Sequence, residues 1–151
     1  MIKLFFSLLL TLSFLNAYEI IDKENVFSVK IDDKDFKTLY FNLKDEINFQ
    51  SYVIVHELDL GKSTASVAEA LEKKAVVKNG VNILICKSSF TLEMHEENIE
   101  NMTFCPMVIS VYEDETSRFI SFRKYQPLKK GDKIAFVINQ RLKNLIIKSL
   151  D

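Results

Sequence analysis

The chain has three glycines and two prolines in 151 residues, and each scarcity excludes something. Collagenous and low-complexity chains need far more of both, and three glycines do not build the loop that wraps a nucleotide phosphate. Its two cysteines are not spaced as CxxC, so thioredoxin-like chemistry has no support, and no CxxCH marks covalent haem. An excess of one charge is also missing. The 20 basic and 21 acidic residues are mixed along the chain and leave no broad basic surface for nucleic acid. No serine, histidine and aspartate stand in a pattern that signals a triad, although such groups meet in space and not in sequence. No internal repeat is visible.

What is present begins with the leader. MIKLFFSLLLTLSFLNA has one positive charge at Lys3, a nearly unbroken apolar stretch from Leu4 to Leu15, and a small residue at Ala17. The stretch is about 12 residues, shorter than the roughly 20 that cross a bilayer as a helix. Residues 1–17 therefore read as a secretory signal peptide cleaved after Ala17, with a periplasmic or secreted destination. Contact with the membrane would be transient, through this leader alone; an uncleaved anchor is the alternative. Tyr18 to Asp151 suits one domain with one core, and losing Lys3 moves the formal net charge from −1 to −2.

Periodicity predicts the elements. Asn25 to Ile31 keeps Phe27, Val29 and Ile31 on one face, as a half-buried strand does. Phe36, Leu39, Tyr40, Leu43 and Ile47 recur at helical spacing, with Asp32, Asp33 or Asp35 as caps. Val53 to Val55 form a β-branched strand that Gly61 ends. A helix follows from Ser63, with Ser66 and Glu69 at capping-box spacing and a stripe of Val67, Ala70, Leu71 and Ala75. Asn79-Gly80 marks a turn before the strand VNILICK. Ser88 or Ser89 caps a short helix through Phe90, Leu92, Met94, His95 and Ile99. Phe104–Glu113 and Arg118–Tyr125 form a hairpin across DETS; in its second strand Phe119 and Ser121 share one face, and Ile120 and Phe122 the other. Gly131-Asp132 introduces a last helix with Ile134, Val137, Ile138, Leu142, Leu145 and Ile146 on one side. The order β-α-β-α-β-α-β-β-α implies an α+β two-layer sandwich, a mainly antiparallel sheet with helices on one face.

One stretch carries a resemblance. From Val81 to Tyr112 a strand ends in Cys86 (ILIC), a short helical segment follows, and a Cys/Pro pair opens the strand FCPMVISVYED. This resembles the domain of unknown function 302 family, in which a cysteine-asparagine-proline turn ends one strand and a leucine-proline-cysteine start opens another that closes on valine-tyrosine-glutamate. Cys86 matches the first cysteine, Cys105 the second, and Val111, Tyr112 and Glu113 the strand end. Lys87-Ser88 replaces the asparagine and proline, and Cys105 precedes Pro106 instead of following a proline. The resemblance spans roughly Asn25 to Pro127. It implies a small α+β domain, often dimeric, with no established reaction. Together with the leader and the lack of a catalytic constellation, it points to an exported non-catalytic small-ligand-binding or protein-interaction module working as a homodimer.

Cys86 and Cys105 are an even count in an exported chain, which favours a disulfide. A reactive or ligating pair, or two inert buried thiols, are the alternatives. The window TLEMHEENIENMTFCPM concentrates soft donors around them: Met94, His95, Met102 and Met107. With the cysteines these would suit copper(I) or a non-covalent haem, a redox or metal-handling function. Against a site, Met94 and His95 point about 100° apart on a helix and are not the i, i+4 pair that grips a metal. In the plainer reading Met102 and Met107 fill core gaps and His95 is solvated among glutamates. His56, in a strand, reads as a partly buried structural residue.

Overall fold

Period-two strands and period-3.6 helices meet in one core. A computed structural model describes residues 18–151; the leader lies outside the described residues. The chain runs β1 (Tyr18–Asp22), β2 (Val26–Ile31), α1 (Phe36–Phe49), β3 (Val53–Asp59), α2 (Leu60–Ala70), β4 (Asn79–Cys86), α3 (Ser88–Glu97), a 3-10 segment (Ile99–Phe104), β5 (Met107–Glu113), β6 (Arg118–Arg123) and α4 (Ile134–Lys148). The six strands form one sheet in the order β1-β2-β6-β5-β4-β3, every neighbouring pair antiparallel. This is the expected α+β architecture, with one strand more at the start.

Alternation decides what each sheet face carries. Phe27, Val29 and Ile31 of β2, Ile83 and Ile85 of β4, Met107, Ile109 and Val111 of β5, and Ile120 and Phe122 of β6 are buried. Leu39, Leu43 and Ile47 of α1, Phe90 and Met94 of α3, and Ile138, Leu142, Leu145 and Ile146 of α4 complete the same core. Each such side chain contributes about 1.5–3 kcal/mol by leaving water. The opposite face is lined by a row of small polar residues that the register puts abreast. Ser28 pairs with Ser121, Ser121 with Ser110, and Ser110 with Asn82.

Several boundaries move, each for a physical reason. β1 went unpredicted because YEIID has too few alternating residues to show a period; pairing with β2 makes it a strand. The helix expected from Ser63 starts at Leu60, because Asp59 Oδ1 accepts the Lys62 amide at 2.8 Å and caps it. Gly61 thus opens α2 instead of ending β3. A Cβ there would lie 2.6 Å from the Gly80 amide nitrogen, so only glycine allows this close approach. Asn79 and Gly80 begin β4, paired with Glu113 and Tyr112, where a turn was expected. Phe104 ends the 3-10 segment and β5 starts at Met107.

Helix ends follow the same logic. Asp35 is the α1 cap, its Oδ1 accepting the Thr38 amide at 3.0 Å. α1 closes with Ser51 N–H donating to Asn48 O and Tyr52 N–H to Ile47 O, and α2 with Glu72 N–H to Glu69 O and Lys73 N–H to Ala68 O. Both are Schellman closures. In both the residue just past the helix has positive φ without being glycine: Ser51 at 61° and Glu72 at 52°. Gly131, at φ 101°, supplies the left-handed turn ahead of α4.

Candidate functional site

Sequence points first to the cysteine window. Cys86, at the end of β4, and Cys105, after the 3-10 segment, form a disulfide with Cα atoms 6.1 Å apart. Their sulfurs are therefore committed to each other, which leaves no free cysteine among the described residues. The other four residues do not converge. Met94 and Met107 are wholly inside the core, as packing methionines are, while Met102 is 59% exposed and fills no core gap. His95 is half-buried with its Nε2 enclosed and unpartnered, a costlier state than the solvated residue expected. Among the described residues no three histidine, cysteine, aspartate or glutamate side chains are grouped to hold a metal ion. His56 sits exposed on the edge strand β3, beside a register shift between Ile54 and His56.

One of several concave features among the described residues lies elsewhere, where the open sheet face meets the chain leaving β6. A cavity of about 480 Å³ is lined there by Asn82, Ser110, Val108 and Phe104 and by the run from Arg123 to Gln126. Its size falls in the range of small-molecule sites. Alternation places Arg123 in phase with Ser121 and Phe119, so its guanidinium projects from the open face. The floor is low because Ser110 and Asn82 are small. Ser110 Oγ donates to Asn82 Oδ1 at 2.7 Å, which turns the Asn82 amide hydrogens outward as donors.

The apolar end of the cavity is held by α4. Asn139 reads the Tyr125 backbone twice, Oδ1 accepting its N–H and Nδ2 donating to its carbonyl, each at 2.9 Å. That pair fixes Tyr125, whose ring meets Phe104 edge to face at 5.3 Å. Its hydroxyl accepts the Val108 amide at 3.3 Å. Burial raises the Tyr125 phenol above its ordinary value, against the opposing pull of that hydrogen bond, so it stays neutral. Arg123 and Lys124 differ in what they meet. Lys124 pairs with Asp22 and donates to Lys23 O at 2.5 Å, whereas no carboxylate lies within ion-pair reach of Arg123 among the described residues.

Two other polar clusters brace the fold. Asp22 also takes Lys143 at 2.6 Å, and the hydrogen bonds from Lys124 and Lys143 hold its carboxyl below the usual range, tying β1 to β6 and α4. On the α1 and β3 side, Lys44 reaches Glu57 Oε1 at 2.7 Å and Tyr40 OH at 3.1 Å, while Tyr40 donates to Glu57. Burial pushes the Glu57 carboxyl up, but these hydrogen bonds and the Lys44 charge together outweigh it and leave it lowered. This cluster lines none of the described cavities.

Sequence reasoning singled out none of Asn82, Ser110, Val108, Tyr125 or Arg123. The one available signal was the phase of RFISFRKY, in which Arg123 falls in step with the face opposite Ile120 and Phe122.

Comparison with known proteins agrees with the fold and goes no further. No family model matches the chain, and no curated protein does. Among solved structures, one is the crystal structure of an uncharacterized conserved protein, DUF302, from Bacillus stearothermophilus. It superposes with a TM-score of 0.69, covers 84% of this chain and 99% of that one, and is 14% identical. The fold is thus that of the domain of unknown function 302.

Proposed function

We propose that this protein is a non-catalytic small-ligand-binding module whose site is the cavity at the end of β5 and β6. The observation that carries the reading is a concave, part-apolar site with an arginine that no acid neutralises among the described residues, on a sheet face that none of the core helices covers. The polar groups of the site are hydrogen-bond donors and a phenol kept neutral, with no nucleophile paired to a base, so the chemistry on offer is recognition. A fragment survey by protein-observed NMR tests it: ligands that shift the amides of Asn82, Val108 and Ser110 support the reading, and a survey in which no ligand moves them sinks it.

The same proposal places the protein outside the cytoplasm and as a homodimer. The signal-peptide pattern of residues 1–17 and the Cys86–Cys105 bond support the first, since disulfides persist in oxidising compartments. An apolar surface supports the second. α2 contributes only Gly61 to the buried set and leaves Val67 58% and Leu71 59% exposed, and edge strand β3 leaves Val53 and Val55 exposed. Unpaired apolar edges and helix faces are features that soluble proteins cover. Sedimentation of the mature chain tests the dimer, and the mass of the chain recovered from the periplasm tests cleavage after Ala17.

A further inference from the structure

We propose that the ligand of the β5–β6 cavity is a small organic carboxylate, its anionic end clasped by Arg123 and its apolar body laid along Val108, Phe104 and Tyr125. The inference rests on the ligand-binding reading above and adds the chemical class.

Three features of the lining select it. First, the sign: Arg123 and Lys124 line the cavity and no carboxylate does, so a cationic or zwitterionic amine finds no partner there. Second, the count: Lys124 is already engaged by Asp22 and by the Lys23 carbonyl, which leaves one uncompensated cation. A planar guanidinium fork matches the two oxygens of a carboxylate, and a single positive charge balances a single negative one. A phosphate dianion would be left half-neutralised. Third, the polarity gradient: the donors Arg123 and the Asn82 amide stand on the sheet side, and the Phe104–Tyr125 pair closes the apolar side. An elongated molecule with one charged end satisfies both sides at once, while a uniformly polar solute leaves the aromatic wall wet.

The test compares three probes of one shape, benzoate, benzamide and phenylphosphonate, titrated by NMR up to about 10 mM, above the millimolar range where such fragments bind. Benzoate is expected to bind about tenfold tighter than benzamide and tighter than phenylphosphonate, with shifts at Val108 and Ser110. Arg123→Gln, at an exposed position, should keep the melting temperature and remove most of the preference for benzoate over benzamide. Benzamide binding at these amides as tightly as benzoate would overturn the carboxylate assignment while leaving a ligand site in place. So would phenylphosphonate binding tightest, or benzoate binding to R123Q within twofold of wild type. If none of the probes shifts these amides, the carboxylate assignment is lost. If the wider survey is also silent there, the ligand-binding reading goes with it.

Discussion

Replacing both cysteines, Cys86→Ala with Cys105→Ala, isolates what the disulfide contributes. The bond joins residues 19 apart in sequence. On the chain-entropy account, releasing a loop of that length frees the unfolded chain by about 3 kcal/mol. Native packing changes little. The loop holds Phe90, Met94 and Phe104, which stay in the core, and both cysteines are only half-buried. At this chain length 1 kcal/mol moves the midpoint by roughly 3 °C, so a fall on the order of 10 °C is expected. Urea unfolding of three samples measures it: oxidised wild type, wild type with reductant, and the double variant. Reduced wild type and the variant should coincide, both about 3 kcal/mol below the oxidised protein. A gap under about 1 kcal/mol would refute the argument, because it would mean the unfolded chain already keeps these residues close.

Three further outcomes follow from particular contacts. Ser51→Gly and Glu72→Gly should each raise stability by about 0.5–1 kcal/mol in urea melts, since both positions hold a left-handed backbone that suits glycine better; a loss at either would count against the Schellman assignment. Glu57→Gln should cost about 1 kcal/mol at pH 7, as its Lys44 and Tyr40 partners stand in a partly buried site. Its folded pKa is lowered, so that contribution is present above the ordinary glutamate value and is lost as pH falls through the folded one. The gap between variant and wild type should therefore close as pH falls well below the ordinary glutamate range, and a gap persisting in strong acid would rule out the ion pair as its source. Val67→Asp with Leu71→Asp should turn the proposed dimer into a monomer by sedimentation without lowering the melting temperature of the protomer, because neither side chain is in the core; a dimer that survives both changes would place the interface elsewhere.

Much of the fold was legible because periodicity reports one local property, which face of an element is apolar. Phe27-Val29-Ile31, Leu39-Leu43-Ile47 and Ile138-Leu142-Leu145-Ile146 were readable as buried faces, and they are buried. The same reasoning failed at α2: the expected stripe of Val67, Ala70, Leu71 and Ala75 is cut short because the helix closes after Ala70, and Val67 and Leu71 stay more than half exposed. A stripe says that a face seeks a partner and does not say where the partner is. Helix ends were obscured for a related reason. With glycine scarce, Ser51 and Glu72 take the left-handed closures and leave no mark that sequence can show.

Composition and local pattern alone settled the layer arrangement, the core face of β2, the two-sidedness of β6 and the apolar stripes of α1 and α4. Tertiary structure alone decided which residues meet. Glu97 of α3 caps α4 from 36 residues away, its carboxylate accepting the Lys133 and Ile134 amides at 2.7 and 2.9 Å. Ser28, Ser121, Ser110 and Asn82 stand abreast only because four strands are paired in one register. The cavity exists because Asn139 draws the chain after β6 onto α4. Such meetings depend on ladders and docking surfaces built by residues far apart in the chain, each worth little singly, so no short stretch of sequence carries them.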